Sequence, residues 1–310
     1  MTSARTRKLT LLEGIAAGIF FGTASIFIRF LPTLDVFSIA FWRLIIACAV
    51  LAVIIFALKM SRGLGYTWKN LKRLVFLGFF LGLHFIFFIS AVKDTTILNA
   101  TVLVNTTPIF SMFLSSFLFG LKPSRLAVLG IAIAIGGVCI IAYAEAAIAG
   151  SISVTTSGTS SLKGDLEAVL AAFFEALYLS YGKKVREQSA ILPIMLSIYI
   201  FAAITIAALS PFGGGETPQF PTEISLILPL LGLGVLPTAV AHTLYFSSLS
   251  NLKSFETATM ALLEPVGATV LGIILFNEWP IPIFVVGTAL TLAGIVFVSR
   301  GKAERLLRNR

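Results

Sequence analysis

Long apolar runs separated by short polar segments dominate the chain. Each run holds about 20 residues, the length that crosses a bilayer as an α-helix. The runs are too long and too continuous for barrel strands, and a helix satisfies its own backbone hydrogen bonds in lipid. We therefore predict ten transmembrane helices, at about 11–31, 36–58, 73–92, 96–119, 125–144, 165–183, 191–210, 224–248, 254–277 and 281–299.

The chain also repeats itself. When it is shifted by 157 residues, segment 90–137 overlays segment 247–294 without a gap, and Pro108 falls on Pro265. The repeat matches prolines and glycines to one another, where backbone geometry is most constrained. An internal repeat of this length in an apolar chain is typical of transporters built from two related halves.

Basic residues are unevenly divided between the two ends of the predicted helices. Nineteen of the 23 lie at the termini or in loops on one side, whereas the other side holds only Lys93 and Lys163. Arg29 and Arg43 lie inside spans. The positive-inside rule then puts both termini in the cytoplasm of a cell that carries the protein in its inner or plasma membrane. Because the basic residues follow topology, the net charge of +9 does not predict nucleic-acid binding.

Five spans in each half is an odd number, so the second half enters the membrane in the opposite direction to the first. The predicted fold is all-α, with two inverted five-helix repeats around a central cavity. The repeats are 1–144 and 164–300, joined by an extracytoplasmic linker at 145–163 and followed by a basic cytoplasmic tail at 301–310.

Composition agrees with a membrane protein. Apolar residues make up 57% of the chain and charged residues 12%, against about 25% charged residues in soluble domains. Both cysteines, Cys48 and Cys139, lie in apolar runs and are expected to pack there. No phosphate-binding loop, catalytic arrangement or metal-ligand cluster is visible, so we predict no enzyme, no cofactor and no metal site.

Three stretches resemble EamA-type proteins of the drug/metabolite transporter superfamily: Phe41–Ala47, Lys163–Tyr178 and Ala261–Pro280. Together with the ten spans and the repeat, the similarity covers roughly 10–300. The resemblance implies a ten-helix fold, alternating access, and often export of amino acids or related metabolites. Some relatives move nucleotide sugars or sugar phosphates instead.

Charged groups inside a membrane are costly, so they should face the bundle interior or a wet cavity. Helical spacing gives Glu264 and Glu175 faces of small residues. Each is a candidate for substrate binding or proton coupling. The alternative for Glu264 is an interhelical anchor with Arg43 as its partner, and the alternative for Glu175 is a protonated, hydrogen-bonded packing residue. Arg43 could instead bind a substrate carboxylate. Arg29 shares a face with three glycines, which predicts that it points into the bundle near the outer gate, or else that it snorkels.

Other polar and aromatic positions complete the predicted site. His242 shares a polar stripe with Tyr245, whereas His84 lies on an aromatic stripe; either histidine could relay protons or be a satisfied core residue. Tyr178 lies on the Glu175 face and helps to shape the cavity. Asn99 belongs to a polar face that binds cargo or bonds a neighbouring helix. Pro108 and Pro265 are predicted hinges, one in each half.

These features predict a secondary active or facilitative transporter that exports small organic metabolites, with amino acids ranked first, and with protons as a candidate coupling ion. It would act in lipid as a monomer or weak homodimer. A phosphate-ester or nucleotide-sugar exchanger ranks second, because such cargo needs a cluster of cations. A channel, or a membrane-embedded receptor or enzyme, is a further alternative.

Overall fold

The computed structural model describes residues 6–59, 70–95, 97–151, 162–186, 190–213, 217–276, 282–301 and 304–305. These residues are almost entirely helical. In chain order the α-helices are α1 Arg7–Phe21, α2 Ala24–Arg29, α3 Val36–Ala57, α4 Leu71–Asp94, α5 Ile97–Val104, α6 Thr107–Phe119, α7 Arg125–Ser151, α8 Leu162–Arg186, α9 Ile191–Leu209, α10 Ile224–Leu233, α11 Thr243–Ser248, α12 Ser254–Met260, α13 Glu264–Phe276 and α14 Pro282–Arg300.

Short irregular elements complete the chain. A π-helical segment, Gly234–His242, joins α10 to α11, and 3₁₀ turns cover Ser210–Gly213 and Ala261–Leu263. Two-residue strands, β1 Leu121–Lys122 and β2 Glu304–Arg305, pair antiparallel. The helix α7 continues to Ser151, into the segment predicted as a linker. Most of that linker and of the predicted tail lies outside the described residues.

Eight helical stretches of the described residues are long and apolar enough to cross a membrane. They coincide with the predicted spans except the sixth and ninth. Those two are also helical, as α8 and as α12 with α13. The helix α8 carries charged residues at both ends. Large apolar side chains such as Phe56 and Phe117 are almost fully exposed, as expected of a surface that faces lipid.

Prolines interrupt the helices at particular points. At two of them a threonine hydroxyl donates a hydrogen bond to the carbonyl that lacks a proline N–H donor. Proline has no N–H group to donate to the carbonyl four residues earlier. For Pro108 that carbonyl belongs to Val104, and the Thr107 hydroxyl donates to it at 2.8 Å. For Pro237 it belongs to Leu233, and the Thr238 hydroxyl donates to it at 2.6 Å.

Pro265 lies in a third interruption. It is the second residue of α13, directly after the 3₁₀ turn. The carbonyl that Pro265 leaves without an α-helical donor belongs to Ala261, and the Glu264 N–H donates to it instead. Pro108 and Pro265 therefore both stand where a long helix is broken near its middle, at positions related by the repeat.

Helices α7 and α14 pack against each other in antiparallel orientation through glycines. A Cβ atom added to Gly130 would lie 2.7 Å from the carbonyl oxygen of Gly294, and one added to Gly137 would lie 2.6 Å from that of Gly287. Such approach is possible only without side chains. The internal repeat places Gly130 on Gly287 and Gly137 on Gly294, so the contact is self-complementary.

Helices of the two predicted halves alternate around the main core. The helix α4 packs against α8 and α9, while α1 packs against α11, the π-helical segment and α13. One cluster of buried apolar side chains contains residues from α1, α3, α4, α8 and α9. This arrangement brings the middles of several helices together at one place.

Candidate functional site

Five of the predicted site residues meet at a cavity in the centre of the bundle. Arg43 of α3, His84 of α4, Glu175 of α8, His242 of the π-helical segment and Glu264 of α13 all line it. Each is more than nine-tenths buried. The cavity has a volume of about 30 Å³, which is space for one or two water molecules. The remainder of its wall is mostly aromatic and small, including Phe21, Phe85, Phe88, Ala258 and Ala261.

Arg43 is held in place by two different contacts. Its Nε donates to the Thr238 hydroxyl at 2.9 Å, and its guanidinium carbon lies 4.1 Å from the centre of the Phe85 ring. The Thr238 backbone carbonyl in turn accepts a hydrogen bond from Tyr199 at 2.7 Å. The Nη1 atom of Arg43 is buried and makes no hydrogen bond to any described residue. Arg43 therefore has a fixed orientation and a spare donor at the cavity.

Glu175 is bound to the interruption between α5 and α6. Its Oε2 accepts from the Thr107 hydroxyl at 3.0 Å, and Thr107 is the residue before Pro108. The same hydroxyl lies within hydrogen-bond distance of the Val104 carbonyl, so it is shared between the helix break and the carboxyl group. A change in the geometry of this helix break would therefore move the hydroxyl group that is hydrogen-bonded to Glu175.

The two histidines come together, although 158 positions separate them in sequence. Their ring centres are 6.1 Å apart. The Nδ1 of His84 donates to the Ala171 carbonyl at 3.0 Å, because a carbonyl oxygen can only accept. The Nδ1 of His242 is buried without a hydrogen bond to any described residue, and its ring lies edge-on to Phe21 and Phe85.

Glu264 begins α13 at the 3₁₀ turn and interacts electrostatically with Arg43. The approach of α1 is close at this point, since a Cβ atom added to Gly22 would lie 2.6 Å from the Glu264 carbonyl oxygen. The cavity therefore combines one guanidinium group, two carboxyl groups and two imidazoles. Such a set can bind both ends of a zwitterion, or hold and move a proton.

Three predicted residues lie outside this cavity wall. Asn99 donates through Nδ2 to both carboxylate oxygens of Asp165, at 3.1 and 3.3 Å, near the end of the bundle. The Tyr178 hydroxyl donates to the Met195 sulfur at 3.7 Å. Tyr245 is fully buried behind the cavity, edge-on to Phe21 and His242.

The structure exposes Arg29, so the prediction that it points into the bundle is wrong, and the alternative that it snorkels stays a prediction. Its face was inferred by continuing the helical period from the glycines of α1. That helix ends at Phe21, and a separate helix begins at Ala24 after a turn at Gly22 and Thr23. The turn changes the direction of the side chains that follow, so the period cannot be carried across it.

The sequence places Thr238 on the polar stripe of His242, but it did not predict that Thr238 contacts Arg43 or that Thr107 contacts Glu175. Each is adjacent to a proline within an apolar span, as Thr107-Pro108 and Pro237-Thr238. A threonine beside an intramembrane proline is a readable signal, because its hydroxyl can satisfy the carbonyl that proline leaves free. Among the described residues, no group of three or more His, Cys, Asp or Glu side chains could hold a metal ion.

Polar contacts also join separate parts of the chain near both ends of the bundle. At one end Arg7 bonds the fully buried Glu256 at 2.8 Å, and we call this pair the inner latch. At the other end Thr95 and Asn99 bond Asp165, and Lys163 bonds Asp94 at 2.6 Å; these residues form the outer latch. The repeat relates Glu256 to Asn99, so the latches occupy equivalent places at opposite ends.

Comparison with known proteins gives a consistent result. The profile of the EamA-like transporter family matches residues 8–143 and again residues 162–300. An uncharacterized transporter of Archaeoglobus fulgidus is 27% identical over 274 residues, which cover 87% of this chain and 90% of that protein. A probable terminal-alkyne amino-acid exporter of Streptantibioticus cattleyicolor is 27% identical over 65% of this chain and 64% of its own length. These relatives are named as transporters and not as enzymes, in agreement with the sequence analysis.

The fold also has a counterpart among solved structures. A crystal structure with 17% sequence identity superposes with a TM-score of 0.75 and covers 94% of this chain and 96% of its own. At this identity the likeness concerns the fold alone.

Proposed function

The chain belongs to the EamA-like transporter family, and we propose that it carries small amino-acid-like metabolites across the cell membrane by alternating access. The observation that carries the proposal is the central cavity, where one guanidinium group and two carboxyl groups meet among aromatic walls. A zwitterion needs both signs of charge at a short distance, and this wall supplies both.

The proposed architecture is the full ten-helix bundle of two inverted repeats, with both termini in the cytoplasm. Three observations support it. The family profile matches twice, once in each half. The antiparallel contact of α7 and α14 pairs residues that the repeat exchanges, as a twofold axis in the membrane plane requires. The basic residues fall on one side of a ten-span topology.

Arg43 is the proposed carboxylate-binding residue. Its Nη1 is a buried donor with no described acceptor, and a buried donor left unsatisfied costs about 1–3 kcal/mol, or more when charged. A substrate carboxylate would satisfy it. Glu264 and Glu175 would then receive the ammonium group, and the free Nδ1 of His242 would contact a polar substituent or a proton. The name of the relative from Streptantibioticus cattleyicolor, an amino-acid exporter, supports the same class of cargo.

Transport requires the structure to open, since about 30 Å³ is too small for an amino acid. The polar contacts of both latches are formed in the conformation described. We propose that α5 and α12, which carry the latch residues Asn99 and Glu256, swing at the interruptions before Pro108 and Pro265. One latch would open at a time, and the substrate would meet each side of the membrane in turn.

A phosphate-ester or nucleotide-sugar exchanger fits this site less well. A dianionic phosphate needs several cations, and among the described cavity-lining residues Arg43 is the one side chain with a permanent positive charge. Two carboxyl groups in the same wall would repel such cargo.

Counterflow in liposomes tests the proposal. Purified protein would be loaded with unlabelled compounds and assayed against labelled amino acids, purines and sugar phosphates, with and without a pH gradient. We expect saturable exchange of amino acids that is lost in Arg43→Gln. Exchange of sugar phosphates without exchange of amino acids would contradict the proposed cargo, and flux without saturation or counterflow would indicate a channel.

A second variant tests the coupling role of Glu264. If its carboxyl group carries the coupling proton, Glu264→Gln should exchange substrate but no longer respond to a pH gradient. The matched variant Glu175→Gln should keep that response and lose affinity instead. Wild-type rate and pH dependence in Glu264→Gln would contradict the assignment, and loss of the folded protein would favour a structural anchor to Arg43.

A further inference from the structure

A second cavity, far larger than the central one, opens between α4 and α8 where α4 begins and α8 ends. Its volume is about 360 Å³. We call it the basic pocket; it is lined by Lys72, Arg73, Phe76 and Leu77 from α4 and by Tyr181, Lys184 and Val185 from α8. No part of the proposed transport cycle uses it.

The pocket has a charged rim and an apolar interior. Lys72, Arg73 and Lys184 are exposed at its mouth, and none of the described residues that line it is acidic. Leu77 and Val185 are each 1% exposed and form its floor. The rings of Phe76 and Tyr181 lie edge-on, 5.2 Å apart, and both remain partly exposed. A ligand that fills it must be anionic at one end and apolar at the other.

The depth of these groups in a membrane matches that of a phospholipid. The helix α4 has 24 residues and is therefore about 36 Å long, longer than the hydrocarbon core of about 30 Å. Its first turn, with Lys72 and Arg73, then lies at the level of the lipid headgroups. Phe76 lies one turn deeper, at the start of the acyl chains, where aromatic side chains are favoured.

We propose that the basic pocket binds an anionic phospholipid, with its phosphate among Lys72, Arg73 and Lys184 and its acyl chains along Phe76 and Tyr181. On the topology inferred from the loop charges, this lipid belongs to the cytoplasmic leaflet, whose surface is negative. Basic pockets between transmembrane helices on that side are suited to acidic headgroups. A soluble anion would use the rim but leave the apolar interior unfilled.

The occupant would join the two helices that carry His84 and Glu175. From the pocket, aromatic contacts lead along the α4–α8 interface: Tyr181 stacks on Phe80 at 6.2 Å, Phe80 on Phe174 at 6.2 Å, and Phe174 on Phe87 at 5.6 Å. A bound lipid is therefore expected to stabilise the packing of α4 against α8, and both helices contribute residues to the central cavity.

Lipid binding to the purified full chain tests the proposal. The triple variant Lys72→Gln, Arg73→Gln, Lys184→Gln removes the rim, while Lys8→Gln, Arg125→Gln, Arg300→Gln removes three exposed cations elsewhere and serves as control. Native mass spectrometry would count bound phosphatidylglycerol, with phosphatidylcholine for comparison. We expect affinity for phosphatidylglycerol to fall about tenfold or more in the rim variant alone.

Thermal unfolding in detergent gives an independent measurement. Phosphatidylglycerol should raise the midpoint of the wild type and of the control variant, but not of the rim variant. Equal lipid effects in both triple variants would overturn the proposal. Stabilisation by inorganic phosphate but not by phosphatidylglycerol would overturn it too, in favour of a soluble-anion site. If the rim variant fails to fold, Lys72→Arg, Arg73→Lys, Lys184→Arg must retain lipid binding and Lys184→Gln alone must weaken it.

Discussion

At Thr238, one hydroxyl group serves two neighbours. It donates to the Leu233 carbonyl that Pro237 leaves free, and it accepts from Nε of Arg43. The same residue thus repairs the helix and aims the proposed substrate-binding group. Beside Pro108, the Thr107 hydroxyl lies between two acceptors, the Val104 carbonyl and Glu175 Oε2, which share its one proton. In this protein the polar site is built at the points where proline breaks the helices.

Replacing Thr238 by Val should affect both roles. We expect the free energy of unfolding to fall by about 1–3 kcal/mol, because two buried polar groups lose a partner. Substrate affinity should fall about tenfold, since Arg43 loses its orienting contact. Thr205→Val is the matched control, because Thr205 also donates to a helix carbonyl, that of Phe201 at 2.9 Å, but lies away from the cavity. Equal effects of the two substitutions on affinity would contradict the role of Thr238.

At the scale of single elements, the α7–α14 pair shows how glycine sets helix distance. A Cβ atom on Gly137 would lie 2.4 Å from the Thr291 hydroxyl oxygen and 2.6 Å from the Gly287 carbonyl oxygen. A Cβ atom on its neighbour Gly136 would meet nothing within 4 Å. The packing of α14 therefore leaves no room for a side chain at Gly137, whereas it leaves open space at Gly136.

Gly137→Ala should lower the free energy of unfolding by about 1–3 kcal/mol, because the helices must separate to accept the methyl group. Gly136→Ala should be neutral or stabilising by up to about 1 kcal/mol, since alanine favours helix more than glycine does. Thermal or denaturant unfolding of the two variants measures the difference. Equal stability of the two variants would show that the close contact is absent.

The same elements show how far sequence reasoning reaches. Helical spacing placed Glu175 on a face with Ala168, Ala171 and Ala172, and the structure buries all four. The helix α8 is unbroken, so its period holds from end to end. Spacing failed for Arg29, beyond the turn at Gly22. It also could not show that Glu175 meets Thr107, because a contact between residues 68 positions apart depends on how helices pack.

At the scale of the whole molecule, the two latches differ in strength. The inner latch pairs Arg7 with a carboxylate that is fully buried, and the backbone N–H of Lys253 also donates to Glu256 at 2.8 Å. In the outer latch Lys163 is 71% exposed, so water screens its bond to Asp94. The outer end should therefore open more readily than the inner end.

Arg7→Gln should destabilise the fold by about 1–3 kcal/mol, because the buried carboxylate of Glu256 loses a charged hydrogen-bond donor, which is itself 45% exposed. Lys163→Gln should change stability by less than about 1 kcal/mol. The double variant Arg7→Gln, Glu256→Gln should recover part of the loss, and a cycle of unfolding measurements would give the coupling energy. A loss for Lys163→Gln as large as for Arg7→Gln would contradict the difference between the latches.

The Lys163 pair also has a defined pH dependence. Its hydrogen bond to Asp94, with the nearby charge of Glu167, raises the pKa of Lys163 above the usual 10.5. The ammonium form is thus favoured in the folded state. The small contribution of this ion pair to the free energy of unfolding should be complete below pH 10.5 and disappear as the pH rises through the raised pKa of Lys163. Unfolding of wild type and Lys163→Gln between pH 8 and pH 12 would show the two curves converging at the alkaline end.

The glycine contact between α7 and α14 has a consequence for ancestry. Because each helix presents the face that the other requires, a polypeptide of one half alone would fit a second copy inserted upside down. On the proposed inverted architecture, a gene encoding five spans that insert in both directions would have given such a pair before duplication fused the two copies. When the two halves are expressed as separate chains, they should still associate in the bilayer, and Gly137→Ala should weaken this association.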